Sequence, residues 1–277
     1  MRDFKLYKGK FTLYLLLLVI IVIAMIMLRN CSSPLSPQPG NTLKASGGDT
    51  IDIAIEISPL AYSMATDTIG GFQYDMLRQI AQRHNLKFKY HPFVPLSYAL
   101  EGLDNGYFDI VVADIPSTTE FKEKYLLTDP VYLDRQVLVQ RKDSMTGKAP
   151  ISSQHQLASD TIWVVANSPF IGRIRNLSKE IGCDTIYIEQ NSDYSSEILF
   201  IMTALGEIKQ AVVNEKIALS LHHDYPQIDI NTKISFTQFQ SWAINRDNTE
   251  LCDSLNHWIS DFKSTQDYTV LQSRYFK

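Results

Sequence analysis

Residues 108–132, FDIVVADIPSTTEFKEKYLLTDPVY, constrain the fold more than any other part of this 277-residue chain. Residues 108–113 are nearly all apolar and read as a strand covered on both faces. The run stops against a polar turn that opens a helix. A doubly covered strand feeding a helix is the repeating unit of an α/β sheet with helices packed on it.

The flanking patterns extend that unit into two similar cycles. Residues 50–58 (TIDIAIEIS) alternate with period two and stop at Pro59. After the Gly70-Gly71 turn, residues 74–85 set Tyr74, Leu77, Ile80 and Ala81 at helical spacing, 86–93 return as a strand, and 96–105 fit a helix. Residues 137–141 form a further strand, and the polar segment KDSMTGKAPISSQ marks a crossing. Strands at 161–166, 185–189 and 210–213 then alternate with helices at 170–181 and 195–205. The chain closes with a strand at 241–245 (SWAIN) and two amphipathic helices, 249–262 and 268–275, which are expected to pack back on the first lobe. The expected division is therefore lobe one at 50–141 plus 237–277, and lobe two at 142–236.

Ahead of this body, Arg2, Lys5, Lys8 and Lys10 precede residues 11–28, a run without charge, Gly or Pro. About 18 such residues just span a bilayer as a helix. The positive flank holds that end in the cytoplasm and sends the body across. Residues 1–31 read as a signal anchor. The alternative is a lipoprotein signal acylated at Cys31, for which Leu28 fits and Arg29 and Asn30 do not. Residues 32–49 (SSPLSPQPGNTLKASGGD) have almost nothing to bury and read as a flexible linker. Cys183 and Cys252 remain as either a disulfide or two buried thiols.

A net charge of −4 with dispersed Lys and Arg provides no footprint for nucleic acid. No H-E-x-x-H, paired-cysteine metal spacing or G-x-S-x-G occurs, and the adjacent His222 and His223 read as part of a helix or loop face. No catalytic residue, metal or cofactor is expected.

Two strand-to-helix turns have the chemistry of a ligand site. In open α/β sheets ligands sit beyond the carboxyl ends of strands, where helix N-termini offer unpaired N–H groups. Ser117-Thr118-Thr119-Glu120 has the form of a capping box, and Ser168-Pro169 that of a cap followed by a first-turn proline. Each serine serves either its helix or a ligand. Facing each other across a hinge, the turns would let a ligand bridge two lobes and favour the closed form.

GGFQYDMLRQIAQRHNLKF resembles the strand-entry helix of the family 3 extracellular solute-binding proteins, the amino-acid-type periplasmic receptors. Residues 108–132 are similar to that family's strand, I-T-x-E-R turn and F-S-x-P-Y signature. ANSPF, GEIKQAVVNEKIA and LQSRYF resemble later family motifs, so the likeness runs over about residues 50–277. It implies a two-lobed type II periplasmic-binding-protein fold, here following the N-terminal transmembrane helix read from residues 11–28, with a small-molecule ligand and an ABC-type permease or envelope sensor as partner. It also implies a place on the periplasmic face of a bacterial membrane. The N-terminal module of membrane-bound lytic murein transglycosylase F resembles the chain as well. In those enzymes the catalytic glutamate lies in a separate C-terminal domain, which the sequence to Lys277 lacks, so no enzyme is expected.

Carried over residue by residue, the resemblance points to Tyr62, Ser117, Thr118, Ser168, Phe170 and Asn214 as ligand-facing. It also exposes departures. The family's arginine, which clamps a ligand carboxylate, aligns with Phe121, and its acidic residue, which holds the ammonium, aligns with Asn214. Asp114 stands where the family carries a small or hydroxylic residue. Losing one partner of a buried charge pair costs roughly 3–5 kcal/mol, and losing both exceeds the roughly 8 kcal/mol of a micromolar complex. An ordinary α-amino acid is a poor fit. Phe121 either meets a sugar, peptide or aromatic group or staples the helix entry against Pro116, and Lys122 and Arg135 are either a relocated anion clamp or solvated charge. The expected function is a membrane-tethered receptor that closes on a peptide, cell-wall fragment or other non-standard solute for transport or sensing. The alternative is a degenerate module of the cell envelope that acts as a non-transport sensor or in protein interaction.

Overall fold

A computed structural model describes residue 18 and residues 50–65, 68–142, 144, 147–182 and 186–276. The chain divides into two compact units, Met1–Leu43 and Lys44–Lys277. In the first, Leu18 is described as an exposed helical residue. The rest of the apolar run, Cys31, the 32–49 linker and Cys183 lie outside the described residues. Among the described residues no helix is long and apolar enough to cross a membrane, and Cys252 is a buried free thiol.

The second unit opens with β1 (Thr50–Ile55), β2 (Ser63–Ala65), β3 (Thr68–Gly70), α1 (Phe72–His84), β4 (Lys87–His91), α2 (Leu96–Asp104) and β5 (Ile110–Pro116). It continues through α3 (Thr119–Lys124), β6 (Leu126–Leu127), β7 (Tyr132–Asp134) and β8 (Gln136–Arg141). Next come β9 (Thr161–Val165), α4 (Phe170–Glu180), β10 (Tyr187–Asn191), α5 (Ser196–Leu205), β11 (Gln210–Asn214), α6 (Glu215–His222) and β12 (Ile228–Asp229). β13 (Gln238–Ile244), α7 (Thr249–Lys263) and α8 (Gln266–Tyr275) complete it.

Two sheets result. One has the order β4-β1-β5-β13-β6, with β7 also on β13; the other has the order β10-β9-β11-β8-β12. Each is a parallel trio joined by an antiparallel strand: β13 runs against β5, and β8 against β11. The backbone passes between sheets at Arg135 and again between β12 and β13. Two such strands make a hinge, and the halves on either side are the lobes of a mixed α/β binding-protein fold.

β5 shows why the opening pattern reads as a strand, since every one of its residues is buried. β8 is a correction. The sequence boundary at residue 141 assigns it to lobe one, yet it pairs in the second sheet, with Gln136 opposite Asn214. The hydrophobicity of β8 shows that it is covered on both faces but not by which sheet, and the polar segment after it is a loop within lobe two. α6 and the β2–β3 hairpin are additional elements.

The closing helices pack on α1. Phe72 is fully buried, with the rings of Tyr275 and Phe276 at 6.1 and 4.6 Å. Trp242 of β13 is likewise fully buried and joins the same core.

Candidate functional site

The cleft lies where the carboxyl ends of β1 and β5 face those of β9 and β11. Around it gather buried polar atoms that make no hydrogen bond within the protein: Asp114 Oδ2, Gln136 Oε1, Ser168 Oγ, Gln240 Oε1 and both amide atoms of Asn214. Buried polar groups are ordinarily satisfied. Gln136 and Asn214 are opposite one another in the second sheet, and Gln240 pairs with Pro116 and Tyr132 in the first. The unsatisfied atoms therefore collect at the facing ends of the two sheets.

Asp114 is the centre of this group. Its Oδ1 accepts from Gln73 Nε2 at 2.6 Å and from the Tyr132 hydroxyl, and Gln73 Oε1 in turn accepts from Trp242 Nε1 at 2.6 Å. Burial raises the Asp114 pKa, opposed by hydrogen bonding from Tyr132 and Gln73, by the nearby Asn214 amide and by the charge of Lys216. Asn214 of lobe two thus approaches Asp114 of lobe one across the cleft, without the geometry of a full hydrogen bond.

Two further carboxyls belong to the same centre. Glu56, just past β1, accepts hydrogen bonds from the backbone N–H of Ser196 at the start of α5 and from that of Asp114. Burial first, then Asp114, pushes its pKa up to about 8. Asp134, on the hinge, accepts from the N–H groups of Arg135 at 2.8 Å and Lys216 at 3.3 Å. Burial and then Asp114 raise it to about 8 as well. Tyr132 rises well above its ordinary value from burial and from the charges of Asp114 and Asp134. Clustered acids in a dry site cannot all ionise without compensation.

Beside this centre a groove of about 640 Å³ runs between the lobes. Tyr98, Glu101, Phe121 and Tyr125 line one side, and Ser168 and Arg175 the other. The lobes touch along it, with Ser97 Oγ donating to the Ser192 carbonyl at 3.5 Å.

The sequence-derived residues occupy varied places. Asp114, Asn214 and Ser168 come to the cleft with side-chain atoms unsatisfied. Ser117 is not the cap of α3: its hydroxyl is 3.1 Å from that of Ser241, and Thr118 Oγ1 accepts from Phe121 N at 3.3 Å. The cap is displaced by one residue, to Thr118, because Ser117 N still bonds Phe239 O across the sheet, and with Phe121 at the third helical position no box closes. Ser168 caps nothing either, since Pro169 holds the N-cap position of α4 without a side-chain bond. Tyr62 is buried edge-on against Tyr74, with ring centroids 5.2 Å apart. Phe170 lies in the lobe-two core. Phe121 packs with Leu100, Leu103 and Tyr125 while lining the groove. Arg135 is tied to Glu215 at 2.6 Å, and Lys122 is exposed on α3.

Glu56, Gln73, Tyr132, Asp134 and Trp242 escaped sequence reasoning. An acid closing the apolar alternation of residues 50–58 was the available signal for Glu56. The others are brought in by tertiary contacts alone.

The network carries a direct test. Asp114→Ala leaves the Gln73 and Tyr132 donors buried without an acceptor, at about 1–3 kcal/mol each. Asp114→Asn keeps an acceptor and removes a charge that burial disfavours, so its cost is expected to be below about 1 kcal/mol. Urea unfolding at pH 7 separates them, and equal losses in the two variants would contradict the network.

Residues 50–277 match the family model for bacterial extracellular solute-binding proteins, family 3. A membrane-bound lytic murein transglycosylase F of Shewanella sediminis is 25% identical over 208 residues, covering 74% of this chain and 42% of that protein. One of Photobacterium profundum is 23% identical, covering 78% and 42%. The chain thus spans about two-fifths of the length of these curated relatives. Among solved structures, an ancestral arginine-binding protein bound to arginine superposes with a TM-score of 0.71 at 21% identity, over 83% of this chain and 99% of that one. A structure from work on glutathione import by Streptococcus mutans superposes at 0.69 with 16% identity, over 83% and 95%. At these identities the superpositions show a shared fold.

Proposed function

Because the chain belongs to family 3 of the bacterial extracellular solute-binding proteins, we propose that it is a membrane-tethered receptor that closes on a small non-standard solute outside the cytoplasm. The N-terminal run would hold it to the membrane, and closure would present the ligand to an ABC-type permease or an envelope sensor. Its role is binding rather than catalysis.

The observation that carries this reading is the set of unsatisfied buried side-chain atoms contributed by both lobes to one cleft, Asp114 from the first and Ser168 and Asn214 from the second. A ligand that satisfies both sides favours closure by its differential contacts. An ordinary α-amino acid would miss both the arginine replaced by Phe121 and the acid replaced by Asn214. A peptide, a cell-wall fragment or another solute without that charge pair suits the cleft better.

One observation favours a second reading, that of a module for sensing or protein interaction. Phe121 is 4% exposed and packed in the lobe-one core, so the position of the carboxylate clamp serves stability.

A thermal-shift screen against amino acids, dipeptides, muropeptides and sugars decides between them. A ligand at a hundred times its dissociation constant adds about 2.7 kcal/mol, worth roughly 2–4 °C per kcal/mol for a body of this size. Failure to shift across the panel would favour the second reading.

A further inference from the structure

The buried centre of the cleft has an excess of acid. Glu56 and Asp114 come from lobe one, Asp134 from the hinge, and Glu197 of α5 adds its charge beside Glu56. Lys216 is the cation acting on Asp114 and Asp134, and its Nζ lies 4.0 Å over the Phe276 ring. Asp114 Oδ2 and the fully buried Asn214 amide face this centre without a hydrogen bond. Ser168 follows β9, the parallel neighbour of β11, so its unsatisfied hydroxyl lies at the same sheet end as Asn214.

Groups placed to hold a ligand carboxylate at this centre are already engaged, and the unsatisfied donors that remain there, Asn214 Nδ2 and the Ser168 hydroxyl, are neutral. The backbone N–H of Ser196, at the start of α5, is taken by Glu56. Arg135 is paired with Glu215, and Phe121 stands in the core. A positive ligand group meets acceptors here; a negative one meets carboxyls.

We propose that Asp114 and Glu56 form a cation subsite that binds the ammonium or guanidinium group of a solute without a free α-carboxylate, with the Asn214 carbonyl and Ser168 hydroxyl oxygens completing its shell. The subsite rests on the receptor reading and specifies its ligand class. Acid recognition of the amine has moved from the second lobe, where Asn214 is neutral, to Asp114 on the first. Binding then replaces protons with an organic cation. Burial and then Asp114 push Glu56 up to about 8, with Asp114, Glu197 and Tyr132 as its charged or titratable neighbours and with Asp134 and Lys216 beside Asp114. Cation affinity therefore rises with pH toward 8, and binding releases protons.

Titration calorimetry of the full chain with agmatine and 1,5-diaminopentane tests this, with 1,5-pentanediol as the neutral isostere and arginine and lysine as carboxylate-bearing comparators. The amines are expected to bind at least about tenfold more tightly than the diol and the amino acids, a gap of about 1.4 kcal/mol. Affinity is expected to gain severalfold between pH 6 and pH 8, with a heat that depends on buffer ionisation. Asp114→Asn, which keeps the Gln73 and Tyr132 contacts, and Glu56→Gln should each weaken amine binding about tenfold or more. Amine binding unchanged in both variants overturns the subsite. Binding of the diol, or of a neutral or anionic solute from the wider screen, with silence from the amines overturns the subsite and leaves the receptor reading in place. Silence from every compound overturns both.

Discussion

Raising the pH from 5 to 8 is expected to destabilise the folded protein by several kcal/mol. Glu56 has an ordinary pKa of 4.5 and Asp134 one of 3.8, and burial followed by the Asp114 charge lifts each to about 8 in the folded protein. The folded state therefore holds protons that the unfolded chain releases. The stability they contribute is fully present below about pH 4 and is lost as pH rises through 8. Each unit within that window removes up to about 1.4 kcal/mol per carboxyl. The total is smaller than a simple sum, because Glu56 keeps some exposure and is partly screened.

Opening of the lobes limits the loss, since it returns the acids to water. Melting temperature and small-angle scattering should therefore move together, with a lower midpoint and a larger radius of gyration at pH 8. Glu56→Gln should flatten both profiles. A melting temperature that is constant or rises from pH 5 to 8 would show that these carboxyls are not held protonated.

Gly71→Ala is expected to cost at least about 3 kcal/mol, combining left-handed backbone strain with a backbone clash. Gly71 has φ +123°, and a Cβ there would lie 2.4 Å from the Ala61 carbonyl oxygen. That carbonyl is fixed, because Ala61 O accepts from Tyr74 N and Leu60 O from Gln73 N, which ties the loop after β1 to the first turn of α1. The Gly71 N–H also donates to the Tyr275 hydroxyl oxygen at 3.0 Å, which joins the C-terminal helix to the same point.

Gly106→Ala is the control. Gly106 has φ +72° and no heavy atom within 4 Å of an added Cβ, so only the conformational cost of about 1 kcal/mol applies. Urea unfolding of the two variants separates strain from collision, and equal losses would remove the close approach as the reason for glycine at residue 71. The Gly71 substitution should also disturb ligand binding, since Gln73, two residues on, links Trp242 to Asp114 by hydrogen bonds.

Much of the architecture is legible in the sequence. The apolar run at 108–113 became β5, and the helical spacing of Leu77 and Ile80 became the buried face of α1. Both patterns follow from burial on one element, which is a local property of the sequence. Sheet membership is different. β8 reads as covered on both faces, but only its antiparallel pairing with β11 puts it in the second sheet.

The site divides along the same line. Asp114, Ser168 and Asn214 are expected at a ligand site from strand ends, turn chemistry and family resemblance, and what the fold adds is that their side-chain atoms are buried there without a hydrogen bond. The caps read at Ser117 and Ser168 were not realised, because a hydrogen bond to β13 holds the first turn and Pro169 displaces the second cap. Residues 56, 73, 132, 134 and 242 are spread over most of the body, and no spacing rule links them.

Burial pattern and strand-to-helix punctuation are written along the chain, so the amino-acid order alone determined the α/β cycles and the position of the two facing turns. The charge character of the cleft was decided by folding. An isolated carboxyl in sequence is an ordinary anion, and it becomes a costly, proton-holding group only when tertiary packing removes water and brings other acids beside it. Glu56, Asp114 and Asp134 acquire that character from being buried together.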